Sequence, residues 1–199
     1  MTILVAGFGP FGSVERNPSE LIATELDGSS VAGTSTVGRV LPVSAERTPL
    51  AVREAIAEVG PSLVLLLGVA PGRSALTAER VALNVFDFEE PDNDGEQPVD
   101  VPIRAGGPAA YFSTLPLRAI VDAWQDAGIP GYVSDTAGTY LCNAALYSAL
   151  DLDDGVPAGF IHLPSLPEEA ARKRPPQPSM TLATMTEGVV LALEAAIPA

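Results

Sequence analysis

One cysteine and one histidine are all that 199 residues contain of the two most reactive side-chain types. A lone thiol forms no intramolecular disulfide, which excludes the small secreted scaffolds stapled by such bonds. A lone imidazole, His162, excludes metal centres built on two or more histidines, and HExxH is absent. No G-x-S-x-G segment is present either, which argues against a serine hydrolase of that type. Basic residues are scarce: 11 Lys and Arg stand against 25 Asp and Glu, a net charge of −14. Such a surface repels a phosphate backbone. The densest basic run, Arg172-Lys173-Arg174, meets Pro175-Pro176 at once and reads as a solvated loop, so no nucleic acid is expected as a partner. Long apolar runs are missing too. Leu63 to Val69 falls far short of the ~20 residues of a membrane span. Thr2 to Ala6 is broken at Gly7 and has no basic leader, so a soluble, cytoplasmic protein is expected.

With 47% hydrophobic and 18% charged residues, the chain has enough apolar surface to fold, and disorder is not expected. Ile3 to Ala6 reads as a buried strand, and Asn17-Pro18-Ser19-Glu20 as a helix start with Asn17 as cap. Thr36 to Leu41 is a second strand stopped by Pro42, and Pro49 to Val59 a helix closed by Gly60-Pro61. Leu63 to Leu67 and Val81 to Val85 are further strands. Phe86 to Pro108 is a long irregular stretch of the kind that serves function or an interface. Thr114 to Ala127 reads as a helix, Gly131 to Asp135 as a short strand, Cys142 to Leu150 as a helix and Gly159 to Leu163 as a strand. Glu168 to Pro178 is a Pro-rich basic loop before a terminal helix, Ser179 to Ile197, with Ser179 as cap. No repeat or linker divides the chain, so residues 1–199 are read as one domain. Strands alternating with helices predict an α/β fold with a mostly parallel sheet between helix layers.

The flexible segment before Cys142 and the helical pattern after it place the thiol near a helix N-terminus. Free N–H groups there stabilise a thiolate, and the same groups hold an oxyanion. The competing reading is a buried structural cysteine. His162, in Gly159-Phe160-Ile161-His162-Leu163-Pro164, lies near the carboxyl end of a strand, where sites form in open α/β sheets. It is placed either to exchange protons with a thiol and a leaving amine or to sit satisfied in the core. Glu79 enters a buried strand and needs a partner there. It either orients His162 or pairs with Arg80 or Arg73.

Gly7-Phe8-Gly9-Pro10-Phe11-Gly12 fits G-x-G-x-x-G after a strand. The helix signal begins only at Asn17 and no acidic residue ends the second strand, which argues against a dinucleotide. Phe8 and Phe11 read better as walls of a small apolar pocket.

Together these motifs resemble the pyroglutamyl peptidase I family. The resemblance is carried by Gly7 to Gly12 with Asn17-Pro18-Ser19, and by Gly72-Arg73 with Glu79-Arg80-Val81-Ala82-x-Asn84. Pro91-Asp92-Asn93-Asp94-Gly95, Gly107 to Pro116, Gly138-Thr139-Tyr140-Leu141-Cys142-Asn143 and Phe160 to Pro164 extend it along nearly the whole chain. It implies a three-layer α/β/α sandwich, no cofactor, and a homo-oligomer, dimer or tetramer. It also implies hydrolysis of the amide bond after an N-terminal pyroglutamyl residue, with pyroglutamylated peptides as substrates. Cys142 is then the nucleophile, His162 the acid/base and Glu79 the group that orients the imidazole. Phe8, Phe11, Val69, Tyr140 and Leu141 match its pocket positions. Three positions depart from the pattern. Val69 stands where an amide side chain is usual, Glu89-Glu90 where a basic then an apolar residue precede Pro91, and Asp135 where Asn is common. Two alternatives follow from them: a related hydrolase with another N-blocked or cyclic amide substrate, and a non-catalytic binder of peptide ends.

Overall fold

Strands apolar at every position are stable only when both faces are covered, and two such runs form the middle of the sheet here. The computed structural model describes residues 1–197. In chain order the elements are β1 (Thr2–Phe8), α1 (Pro18–Leu26), β2 (Ser30–Val31), β3 (Thr34–Leu41), α2 (Arg47–Val59), β4 (Leu63–Val69), β5 (Leu76–Glu79), β6 (Val81–Leu83), β7 (Ala110–Phe112), α3 (Leu117–Asp126), β8 (Gly131–Ser134), α4 (Leu141–Leu150), β9 (Ala158–Leu163), α5 (Pro167–Arg172) and α6 (Leu182–Ala196). Seven strands make one sheet in the order β2-β3-β1-β4-β9-β5-β8. β3, β1, β4 and β9 run parallel, as do β5 and β8, while β5 meets β9 antiparallel.

Alternation along each strand divides the core. Ile3 and Val5 join Leu65, Leu67, Ile22, Ile120, Trp124 and Met185 on the face covered by α1, α3 and α6. Leu4, Ala6 and Phe8 join Leu66, Phe160, Val52, Ile56 and Ala144 on the face covered by α2 and α4. This is the α/β/α sandwich, with a mostly parallel sheet. At the first βα turn, a Cβ on Gly7 would lie 2.1 Å from the Ser19 carbonyl oxygen. The glycine therefore lets α1 approach the strand, which explains it without a phosphate. Asn17 caps α1 by accepting from Ser19 N at 3.1 Å, and its amide donates to Gly9 O at 2.9 Å. Phe8 N donates to Ser19 Oγ at 3.0 Å, so the Phe8–Gly9 bend is pinned to the helix start.

Several boundaries differ from those read off the sequence. Val81 to Val85 is not a strand of the main sheet. Val81–Leu83 pairs antiparallel with β7 in a two-stranded ribbon, and on its other edge the Asn143 amide occupies Leu83 N and Leu83 O. Leu76–Glu79, an unexpected strand, fills the sheet position between β9 and β8. The first turn of α3 starts after Pro116 rather than at Thr114, since Thr114 N and Oγ1 bond Ala158. Within the supposed loop Glu168 to Pro178, residues Pro167–Arg172 form a short helix. The terminal helix is capped by Thr181, whose hydroxyl accepts from Thr184 N at 3.2 Å, and not by Ser179. Residues 86 to 108 contain no helix and a single isolated bridge, Phe86 to Val101, as expected of an irregular stretch. They are held by side chains: Asp92 accepts from Ala45 N, Asp94 N and Glu96 N, and Asn84 bonds Arg104.

Candidate active site

Strand direction determines which side chains meet at the carboxyl edge of the sheet. His162 is the penultimate residue of β9, and its cross-strand partners are Gly68 of β4 and Thr77 of β5. Directly opposed residues face the same side, so His162, Thr77 and, two residues on, Glu79 all point toward the α4 face. Because β5 runs against β9, Glu79 lies one pleat further from the edge than Thr77. It is fully buried there and accepts from His162 Nδ1 at 2.8 Å. The same Oε1 accepts from Arg73 Nη1 at 2.7 Å and Thr77 Oγ1 at 3.0 Å. Arg73 also bonds Thr77 Oγ1.

Cys142 is the second residue of α4, after Tyr140 as N-cap. No side chain caps this helix, so its first backbone N–H groups are left for something else. The thiol is half-buried. A Cβ added to Gly68 would come within 2.7 Å of its Sγ and 2.8 Å of Phe160 Cζ. Sγ therefore rests over Gly68, the one position of β4 that has no side chain and the strand partner of His162. The neighbouring Asn143 is buried and clasps the β6 segment, accepting from Leu83 N at 2.7 Å and donating to Leu83 O and Val85 O. Nothing in the spacing distinguished that clasp from an ordinary helical Asn.

The electrostatics follow from burial and neighbours. Burial alone would raise the Glu79 carboxyl; the hydrogen bond and charge of His162, with Ser134 and Arg73, outweigh it and hold the group below its ordinary range. Burial pushes His162 down, against the pull of Glu79, so the imidazole rests neutral near pH 7. Burial, together with the Glu79 charge, pushes the Cys142 thiol up to about 12. The resting pair is a neutral thiol beside a neutral imidazole whose Nδ1 proton is given to a carboxylate. That leaves Nε2 as the basic nitrogen.

Cys142 and His162 share a cleft of about 460 Å³ with Arg73, Val69, Tyr140 and Phe11. Its outer wall carries Asp87, Glu89 and Glu90 from the irregular stretch and Thr136 to Thr139 from the loop before α4. Continuous with the cleft through Phe11, Val69, Tyr140 and Cys142, a small apolar slot is lined further by Phe8, Val43 and Leu141, with Asn17. All five residues assigned to a pocket from the sequence thus line this slot. Arg73 as partner of Glu79 was one of the pairings left open; its reach into the cleft was not expected. Among the described residues no group of three or more His, Cys, Asp or Glu is placed to hold a metal ion, and no helix is long and apolar enough to cross a membrane.

A thiol at an uncapped helix start, a neutral imidazole and an ionised carboxylate at the carboxyl edge of a mostly parallel sheet are the equipment of an α/β cysteine hydrolase. The profile of the pyroglutamyl peptidase family matches residues 1–199. A pyrrolidone-carboxylate peptidase of Klebsiella pneumoniae is 46% identical over 98% of this chain and 92% of its own. One from Bacillus cereus is 42% identical over 97% and 91%. Among solved structures, the pyrrolidone carboxyl peptidase of Pyrococcus furiosus superposes with a TM-score of 0.95 at 40% identity, covering 98% of each chain. That of Thermococcus litoralis gives 0.94 at 39%, covering 98% of this chain and 92% of the other. The chain belongs to the pyroglutamyl peptidase family of cysteine peptidases.

Proposed function

We propose that this protein hydrolyses the amide bond after an N-terminal pyroglutamyl residue, using Cys142 as nucleophile, His162 as general base and acid, and Glu79 as the group that orients the imidazole. The observation that carries the assignment is the 2.8 Å contact from Glu79 to His162 Nδ1, which aims the other ring nitrogen into the cleft that Cys142 lines. In this reading the Cys142 proton passes to His162 Nε2 as Sγ attacks the carbonyl carbon. The resulting oxyanion is met by the uncapped N–H groups at the start of α4. As the C–N bond breaks, His162 returns the proton to the leaving amine. A water, deprotonated by His162, then attacks the thioester, and Cys142 leaves as thiol. An uncharged five-membered lactam finds apolar walls near Cys142 in Phe11, Val69 and Tyr140 of the cleft, with Phe8 and Leu141 packed behind them.

The reading takes residues 1–199 as one domain, working in the cytoplasm, where a single unpaired thiol stays reduced. It takes the protein as a homotetramer or dimer, in keeping with exposed Phe112, Tyr132, Val99 and Val101.

The decisive experiment is release of aminomethylcoumarin from its pyroglutamyl amide by wild type and Cys142→Ala. Turnover confined to wild type is expected. Turnover that survives in Cys142→Ala refutes the assignment of the nucleophile. A second reading, in which the same machinery takes a different N-blocked or cyclic amide, is favoured by one observation: Val69, Glu89 and Glu90 all line the cleft. Rapid turnover of another N-blocked reporter by wild type, with the pyroglutamyl one inert, would select it.

A further inference from the structure

The carboxylate beneath His162 is shared in an unequal way. Three donors converge on Glu79 Oε1, from His162, Arg73 and Thr77, whereas the buried Oε2 has no hydrogen-bond partner among the described residues. Arg73 is the one partner of that oxygen outside the sheet. It comes from the turn after β4, closed by Arg73 N donating to Ala70 O at 3.2 Å. Its guanidinium spans from Glu79 to the cleft wall beside Cys142, with 29% of the side chain exposed.

We infer that Arg73 is a positioning residue for the reaction: anchored on Thr77, it holds the Glu79 carboxylate on the one oxygen that orients His162, and so keeps the imidazole neutral with Nε2 free to take the Cys142 proton. This rests on the triad assignment above and adds a residue to it. The groups facing Glu79 are His162 from β9, Thr77 from its own strand, Ser134 from β8, Arg73 from the turn and the Cys142 thiol from α4. Arg80 is turned to Asp135 at 3.1 Å and does not compete. Arg73 is thus the only fixed positive charge in that set. Its removal leaves a carboxyl whose burial is opposed by less, and which holds its proton to higher pH. It also removes the cation that holds the imidazolium back, so His162 likewise stays protonated to higher pH. Both effects move the acid limb of the rate profile the same way.

The test is the pH profile of kcat/KM for Arg73→Gln and Arg73→Lys against wild type, with Cys142→Ala alongside. The ring nitrogens of His162, the only histidine, are followed by NMR in the same samples. Arg73→Gln should lose about 10²-fold in kcat/KM near neutrality, the scale of general-base assistance. It should lose more at pH 6 than at pH 8, with the imidazole titrating at higher pH. Arg73→Lys, which keeps the charge, should leave the acid limb in place. A loss that is the same at every pH, or an unmoved His162 titration, overturns the inference while leaving the triad standing. Turnover by Cys142→Ala would instead overturn the reading beneath it. Should Arg73→Gln not fold, Arg73→Met, which keeps the length of the stem and leaves Thr77 on Glu79, takes its place. An acid limb that moves up supports the inference, and one that stays overturns it.

Discussion

At the residue scale the site stands on a few contacts between groups that are costly to bury. Glu79 is completely buried as an anion and needs its donors; removing one partner of such a set typically costs 3–5 kcal/mol. His162 bonds it in a neutral form, and Cys142, in the same cleft, is a thiol. A chemical consequence follows. A thiol raised to about 12 alkylates through a small thiolate fraction, so the rate should keep climbing with pH above 9. A preformed thiolate–imidazolium pair would level off near neutrality. Timed alkylation with iodoacetamide reads the single thiol directly, and a plateau at pH 7 would contradict the neutral resting pair.

At the scale of elements, the site depends on the contact between α4 and the β4–β9 pair. Gly68 is the hinge of that contact: on one side it pairs in register with His162, and on the other it leaves room for Sγ and Phe160. Gly68→Ala would put a methyl within 2.7 Å of the sulfur and 2.8 Å of the ring. Overpacking of this kind costs about 1–3 kcal/mol. The substitution should lower the melting temperature and displace Cys142 from His162, with activity falling more than stability; an active variant with unchanged melting would place the helix further from the strand. The opposite end of α4 is held just as firmly. Asp151, its C-cap, is nearly fully buried and takes Arg53 at 2.9 Å, Arg104 at 2.9 Å and Tyr111 at 2.8 Å. Arg104, near the end of the irregular stretch, is thereby tied to the same helix that carries the thiol.

At the scale of the whole molecule, charge and burial set the response to acid. The Glu79 carboxyl is held below its unfolded value, so its contribution is fully present above the unfolded range near pH 4 and is lost as pH falls through the folded value. The gap in melting temperature between wild type and Glu79→Gln should therefore be constant near neutrality and narrow as the pH drops below about 4. A gap independent of pH would mean that Glu79 is not ionised in the folded protein. What the sequence determined by itself was the inventory and the local order. The single thiol, the single imidazole, the Asn17 cap, the glycine-broken first turn and the wholly apolar Leu63 to Leu67 run follow from composition and short-range spacing. The alternation of strand and helix patterns pointed to an α/β fold and put Cys142 at a helix start, since capping and periodicity act within a few residues. Which of these groups meet depends on strand order and direction, set by residues distant in the chain. Glu79 and His162 are 83 positions apart, and their contact depends on β5 entering the sheet against β9, a direction that no local pattern encodes. Val81 looked like sheet and became ribbon for the same reason: strand pairing is chosen by neighbours distant in the chain. Arg73 and Arg80 were equivalent candidates beside Glu79, and only the turn after β4 gave the first to the carboxylate and left the second to Asp135.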